Sequence, residues 1–331
     1  MPELRLNLIT REWVIVLTEK AKRPDDFKLK RDKRAMPEFL ETCPFCPGNE
    51  YKTTNEIMRI PDDGSWLVRV IPNKFPALAS EGERIRTSQG LKQLITGVGT
   101  HEIIIESPSH NTPTALLSGE DIANVLRTYK RRFLEVYRNP FIRHVMIFKN
   151  QGEGSGTSIL HPHSQLIGTP ITPFQVRDRI YEARRFFDSS GECLMCATIR
   201  DELADGRRVI MNTEHFVTFI PFAALSPFHT WIFPKKHSAT FSDISDEEIV
   251  DLSINLKTIL SKLYYGLENP DFNYVLRSEN IKEAGSEYFH WYLSIVPRLA
   301  QASGFELGSG MYTNTAIPEE VAEFLRKVKT D

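Results

Sequence analysis

The sequence predicts an α+β protein built from two tandem copies of one domain, each an antiparallel sheet with packed helices. Two observations carry this. A Cys-x-x-Cys pair occurs twice, as Cys43-Pro-Phe-Cys46 and Cys193-Leu-Met-Cys196. Each pair is followed by the same order of strand, histidine, capped helix, strand and second histidine. Those histidines are His110 and His161 in the first copy and His237 and His290 in the second, at nearly equal separations. A period this long is not that of a solenoid. The chain therefore divides at a linker near Pro170 to Pro173, into residues 1–172 and 173–331.

In chain order, Glu12 to Leu17 is a strand-like run, and Lys20-Ala-Lys22-Arg23-Pro24 is a basic cluster stopped by proline. Residues 25–42 are polar and read as a loop leading to the first cysteine pair. Trp66 to Ile71 is a strand closed by the turn-like Pro72-Asn73-Lys74-Phe75-Pro76. Glu102 to Glu106 is a buried strand running into His110. Ser118 then has the form of a helix N-cap with acids in the first turn. Ile122, Val125, Leu126, Tyr129, Phe133 and Val136 fall on one helical stripe behind it. His144 to Asn150 is a strand that feeds a glycine-rich loop.

The linker leads into a helix expected over 176–187. In the second copy, Phe216 to Phe222 and Thr230 to Phe233 are the strands before His237. Ser245-Asp-Glu-Glu248 is a capping box, and Ile249, Leu252, Leu256, Ile259, Leu260 and Leu263 form the stripe of its helix. Phe272 to Arg277 repeats the strand at His144, and the copy then reaches His290.

Composition sets the class. The 331 residues are 41% hydrophobic and 25% charged, an ordinary soluble chain with ample core. A net charge of −2 lacks the footprint of a nucleic-acid binder. No apolar run would span a bilayer, and the N-terminus has no signal-peptide core. The expected location is the cytoplasm, with neither nucleic acid nor membrane as partner.

In a reducing compartment, paired Cys-x-x-Cys is more often metal-binding or redox-active than a disulfide. Two copies, each followed by spaced histidines, favour zinc. Cys43, Cys46, His110 and His161 make one set; Cys193, Cys196, His237 and His290 make the other. Two thiolates and two imidazoles leave a tetrahedral ion no open position, so two structural zinc sites per chain are expected.

The chemistry centres on the stretch from Gly152 to Gln165. Its glycines permit the φ > 0 conformations that turn backbone N–H groups toward phosphate oxygens. If the residues that follow are extended, His161, His163 and Gln165 share one face. In the second copy Tyr292 stands for His163 and Ser294 for Gln165, so only the first half keeps the extra histidine. His163 is thus the candidate nucleophile, since neutral imidazole attacks phosphorus and also leaves it readily. The backbone carbonyl of His161 is a candidate orienter for its proton-bearing nitrogen.

Ala21-Lys22-Arg23-Pro24, Cys43-Pro-Phe-Cys46, Val70-Ile-Pro-Asn73-x-Phe75-Pro76, Ser107-Pro-x-His110, Asn150-x-Gly152 and His161-Pro-His163-x-Gln165 occur together here. On these motifs the chain resembles the galactose-1-phosphate uridylyltransferase family, a branch of the histidine-triad superfamily, over essentially its whole length. The resemblance implies tandem histidine-triad-like domains, a homodimer, and ping-pong transfer of a nucleoside monophosphate through a nucleotidyl-histidine on His163. It implies Gln165 on the transferred phosphoryl group and Ser158 on the departing sugar phosphate. Asn150 and Gly152 would line the phosphate site, Arg23 beside Lys22 would counter phosphate charge, and Asn73 with Phe75 would hold the nucleoside. Phe305 and Glu306 are hexose contacts by position.

The function so implied is that of a UDP-glucose:hexose-1-phosphate uridylyltransferase in galactose metabolism. The second Cys2His2 set and the Gly-rich C-terminal segment support an alternative, ADP-glucose:phosphate adenylyltransferase. The partners would be a nucleotide sugar and either hexose 1-phosphate or inorganic phosphate. A nucleotide phosphoramidate hydrolase is disfavoured, because histidine-triad hydrolases carry a third histidine where this chain has Gln165. Glutamine does not donate a proton at neutral pH. Ser294 and Val296 stand where uridylyltransferases carry a His-x-His for another metal, so that site is not expected. His101, His144, His215 and His229 match no catalytic pattern and read as strand-end or surface residues.

Overall fold

The computed structural model describes residues 1–28 and 36–330. Most of the expected 25–42 loop lies in or beside the undescribed segment. The first half contains β1 (Glu3–Leu6), β2 (Trp13–Val16), β3 (Met58–Ile60), β4 (Val68–Pro72), β5 (Arg86–Gln89), β6 (Lys92–Ile95) and β7 (Thr100–Ile105). Helix α1 (Gly119–Val136) and strands β8 (His144–Gln151) and β9 (His163–Thr169) complete it. The second half runs α2 (Phe174–Ser190), α3 (Leu194–Asp205), β10 (Val209–Asn212), β11 (Phe216–Phe219), β12 (Thr230–Pro234) and α4 (Asp246–Gly266). It ends with β13 (Phe272–Arg277), β14 (Tyr292–Pro297), α5 (Gly304–Ser309), β15 (Tyr312–Asn314) and α6 (Pro318–Lys327).

Ten strands form one sheet in the order β10-β11-β12-β14-β13-β8-β9-β7-β4-β3, and every ladder in it is antiparallel. The order reads the same from both ends if the halves are matched: β4, β7, β9 and β8 correspond to β11, β12, β14 and β13. The duplication is therefore joined edge to edge, through β8 paired with β13, with Phe272 opposite Gln151 and Leu276 opposite Ile147. The joint leaves no sheet edge exposed at the centre of the molecule. A small second sheet departs from the antiparallel expectation, since β15 pairs with β2 in parallel.

The two stripe helices cover one face. The capping boxes at Ser118 and Ser245 are both formed, each serine accepting from the N–H three residues on. Alternation along the strands decides what each face carries. Ile104 on β7 and Leu166 on β9 join the apolar core under α1 and α4. Their neighbours Ile103 and Ile105 face the other side, in a small cluster with Cys43, Phe45, Cys46 and Trp66. His163 and Gln165 share that second face. Helix α3, which the sequence reading did not anticipate, packs with α2 on the corresponding face of the second half.

Candidate active site and metal centres

The two cysteine pairs and four histidines assemble as two clusters, each with all four ligand atoms within 4.8 Å of one another. In the first, His161 Nδ1 lies 3.7 Å from Cys43 Sγ and 3.6 Å from Cys46 Sγ, and His110 Nδ1 is 3.6 Å from Cys46 Sγ. Tetrahedral zinc, with Zn–S and Zn–N bonds of about 2.3 and 2.0–2.1 Å, sets sulfur and nitrogen about 3.6 Å apart. In the second, Cys196 Sγ is 3.3 Å from His237 Nδ1 and 3.4 Å from His290 Nδ1. In one histidine of each cluster the opposite ring nitrogen is committed: His161 Nε2 donates to the Ser107 carbonyl at 2.7 Å and His237 Nε2 to that of Ser286 at 2.9 Å. That fixes the tautomers that turn the Nδ1 lone pairs toward the thiols, the outer-shell support a metal-binding histidine needs. Both sets fit a metal ion.

His161 does not lie on the strand face with His163, as an extended chain from residue 161 would require. It sits in a bend before β9 begins, which lets its ring turn back to the cysteines. The same bend puts its carbonyl oxygen 2.8 Å from His163 Nδ1, so Nδ1 carries the proton and donates. The Nε2 lone pair is left for chemistry. Phe45, between the two cysteines, packs edge-on against both rings, 6.1 Å from His161 and 5.3 Å from His163. The metal cluster and the candidate nucleophile therefore share a wall.

His163 is 6% exposed. Burial is the main reason its imidazole is pushed down to about 4, and the Lys149 ammonium adds to the effect. Lys149, wholly buried, donates to Glu106 Oε2 at 2.8 Å and to the His163 carbonyl at 3.2 Å. Glu106 also accepts from Thr114 Oγ1 at 2.7 Å and from the Tyr129 and Tyr274 hydroxyls at 3.2 and 3.4 Å. Burial alone would raise its carboxyl, but these donors outweigh it and hold it below the usual carboxylate range. Tyr274 comes from β13, so this network under His163 spans both halves.

Gln165 follows two residues along β9. Its Oε1 lies 2.8 Å from His101 Nε2. The Ala77 N–H donates to His101 Nδ1 at 3.0 Å, which leaves the ring proton on Nε2. Gln165 Oε1 is then the acceptor, and its amide N–H groups point away from His101. Asn73 joins this pair through its backbone N–H, which donates to the His101 carbonyl at 2.9 Å, while Asn73 Oδ1 accepts from the Phe75 N–H at 2.9 Å. Asn73, His101 and Gln165 form one chain, and Phe75 is almost fully exposed at its end. His101 is a strand-end residue as expected, but it has a partner that strand periodicity did not disclose. The signal was its register on β7, two positions from Ile103, which faces Gln165.

The glycine-rich loop leaves β8 with Gly152 at φ +83° and Gly156 at φ +90°. A Cβ on Gly152 would come 1.9 Å from Asp271 Oδ1. The Gly154 N–H donates to Asp271 Oδ2 at 2.8 Å, so at this point the loop is tied to a carboxylate rather than left open to phosphate. Asn150, across the ladder from Asn273, accepts from its amide at 2.7 Å. Ser158 is exposed on the segment between this loop and His161.

Other expected residues are not brought to His163. The Lys22 N–H donates to the Thr315 carbonyl, its ammonium lies over Phe27, and Arg23 caps the turn at Asp26. Phe27 packs on Phe228 of the second half. Phe305 and Glu306 lie on α5, also in the second half. His144 and His229, read as strand-end or surface residues, are strand-end ones: His144 opens β8 and His229 immediately precedes β12, and each is 4% exposed.

Two domain profiles match the chain: the N-terminal domain of galactose-1-phosphate uridyl transferase over residues 1–173 and its C-terminal domain over 178–328. An ADP-glucose phosphorylase of Arabidopsis thaliana is 38% identical, over 99% of this chain and 93% of its own. A galactose-1-phosphate uridylyltransferase of Thermotoga maritima is 26% identical over the whole of both chains. The crystal structure of the Arabidopsis ADP-glucose phosphorylase with bound ADP-glucose superposes with a TM-score of 0.83, at 35% identity and 99% coverage of both chains.

Proposed function

The chain belongs to the galactose-1-phosphate uridylyltransferase family and is a nucleotidyltransferase, and we propose that it moves a nucleoside monophosphate from a nucleotide sugar to a phosphate acceptor through His163. The observation that carries this is the His163 ring itself: neutral, buried, and held by His161 with Nε2 unprotonated. In the first step Nε2 attacks the nucleotide α-phosphorus. An N–P bond forms, the bond to the sugar-phosphate oxygen breaks, and sugar 1-phosphate leaves with the electron pair. The Nδ1–H bond to the His161 carbonyl steadies the positive charge that the ring acquires. In the second step an oxygen of the acceptor phosphate attacks the same phosphorus and the N–P bond breaks, returning neutral His163.

Gln165, held by His101, presents amide N–H to the phosphoryl oxygens and supplies no proton, which supports transfer over hydrolysis. Asn150 and the Gly152 turn border the phosphate position, Asn73 and Phe75 the nucleoside, and Ser158 the leaving group. Lys22 and Arg23, in a segment packed against the second half, and Phe305 and Glu306, on that half, would reach a nucleotide at His163 across a homodimer. The two Cys2His2 clusters would hold zinc. Bound there, zinc supplies no open coordination position and serves to tie distant segments together.

For the donor we infer ADP-glucose, with inorganic phosphate as acceptor, from the 38% identical ADP-glucose phosphorylase and the complete second Cys2His2 set. Uridylyl transfer between UDP-glucose and hexose 1-phosphate is the second reading, favoured by the uridylyltransferases matched along the full chain. Intact-mass measurement after separate incubation with ADP-glucose and UDP-glucose, without acceptor, separates them. An AMP-sized adduct supports the first and a UMP-sized adduct the second. Free nucleoside monophosphate with no adduct would overturn both in favour of hydrolysis.

A further inference from the structure

The half without the nucleophile keeps a cavity where the first half has its phosphoryl site. Ile105 and Ile103 face His163 and Gln165 across one ladder, and Trp231 faces Ser294 across its counterpart. Tyr292 and Ser294 thus stand in the places of His163 and Gln165. His229 Nε2 lies 2.8 Å from Ser294 Oγ, as His101 Nε2 lies 2.8 Å from Gln165. The space in front of these residues is a cavity of about 300 Å³, walled by β12, β14, α2 and the segment before β2.

Its lining is polar and unmatched. Thr10 Oγ1, Glu12 Oε2, Arg179 Nε, Ser226 Oγ and His229 Nδ1 are buried with no hydrogen-bond partner in the chain. All five residues line this one cavity, and they account for more than half of such atoms among the described residues. Buried polar groups are normally paired, so a cluster of exceptions needs a cause. His229 is the clearest: its Nε2 accepts from the Trp231 indole at 3.0 Å, so the proton is on Nδ1, a buried donor without an acceptor.

Three arginines, Arg179, Arg277 and Arg298, line the same space, together with the carboxylates of Glu12 and Glu306. Arg179 spends one nitrogen on the Gln175 carbonyl of its own helix. The guanidinium of half-buried Arg277 makes no hydrogen bond or ion pair among the described residues. The positive charge of Arg179 acts on Arg277, and Glu12 reaches Arg277 only through space. Guanidinium does not lose its proton in a protein, so two facing each other in a cavity call for an anion. The free Glu12 oxygen is an acceptor and calls for a donor, which the dianion of a phosphomonoester supplies only through hydroxyl groups on its organic part.

We propose that this cavity binds a phosphomonoester bearing hydroxyl groups, a sugar phosphate, with its phosphate between Arg179 and Arg277 and a hydroxyl on Glu12. The volume is at the lower end for ligand pockets and suits one sugar phosphate rather than a nucleotide sugar. Tyr292 cannot act as His163 does, so the site binds without transfer. The inference does not depend on which nucleotide His163 carries.

The test is calorimetric titration of the full, metal-loaded protein with glucose 6-phosphate, inorganic phosphate and glucose. Wild type should bind glucose 6-phosphate more tightly than inorganic phosphate, and glucose not measurably. Arg179→Gln and Arg277→Gln should each weaken glucose 6-phosphate at least tenfold with metal content and melting temperature unchanged. Should Arg277→Gln fail to fold, Arg179→Gln, on a helix at the surface, decides alone. Glu12→Gln should weaken glucose 6-phosphate while leaving inorganic phosphate bound at least as tightly. Unchanged affinity in the arginine variants, or no binding to wild type at millimolar concentration, overturns the proposal. So does a crystal grown with glucose 6-phosphate that shows phosphate density at His163 and none between Arg179 and Arg277.

Discussion

His163 Nδ1 lies 2.8 Å from the carbonyl oxygen of His161, a residue whose own Nδ1 faces Cys43 and Cys46. One backbone bend therefore sets both the metal cluster and the tautomer of the candidate nucleophile. His163→Ala should abolish formation of the nucleotidyl adduct while leaving metal content and the circular dichroism spectrum unchanged. An adduct that persists in the variant would move the nucleophile elsewhere.

The His101–Gln165 contact predicts an effect on rate without loss of fold. His101→Phe frees the carboxamide to rotate, and adduct formation should slow by about tenfold to a hundredfold, less than losing the donor outright. His101→Asn, which keeps a donor nearby, should recover part of it. Rapid-quench measurement of the first step reads this directly. Equal rates in wild type and His101→Phe would remove His101 from the site.

Lys149 and Glu106 are both fully buried. Lys149→Met leaves the Glu106 carboxylate without its cation and should cost about 3–5 kcal/mol of stability. Lys149→Met combined with Glu106→Gln should restore much of that, because no lone charge remains. Urea denaturation of the three variants tests this, and additive losses in the double variant would show that the two do not act as a pair.

Cys193→Ala should lose one of two bound metal ions and lower the melting temperature, since metal affinity contributes directly to folding. Nucleotidylation of His163 in the surviving fold should change far less, because that cluster lies in the other half. Metal analysis showing two ions in the variant would contradict the assignment of Cys193 as a ligand.

Acid should destabilise the fold through its buried histidines. Burial, with Arg277 nearby, pushes His144 down to about 4, against about 6.5 in an unfolded chain. Between these values the unfolded state binds more protons, so this stability is present above about pH 6.5 and is lost as pH falls toward 4. The slope is at most about 1.4 kcal/mol per pH unit. His144→Gln should flatten the dependence of unfolding free energy on pH in that window, and parallel curves would refute the attribution.

Much of this protein was legible in its residues. Periodicity and capping located α1 and α4 because an amphipathic helix carries its burial pattern in adjacent turns, and the capping boxes at Ser118 and Ser245 are local in the same sense. The two Cys2His2 sets were readable because duplication repeated an unusual donor combination in order. Helix α3 was not read, since its apolar residues are spread around the helix rather than gathered in one stripe and its start is set by Cys193 meeting distant histidines.

By itself, then, the sequence determined the α+β class, the duplication, the donor sets and His163 as the histidine without a counterpart. Tertiary structure alone decided that β8 and β13 join the halves into one sheet, that His101 holds Gln165, and that Lys149 and Glu106 lie beneath His163. It alone decided that Arg179, Arg277 and His229 meet in one cavity. The physical reason is range. Helical and strand periods and caps are contacts within a few residues, whereas strand order and buried polar pairing join groups far apart in the chain, whose partners exist only once the sheet has closed.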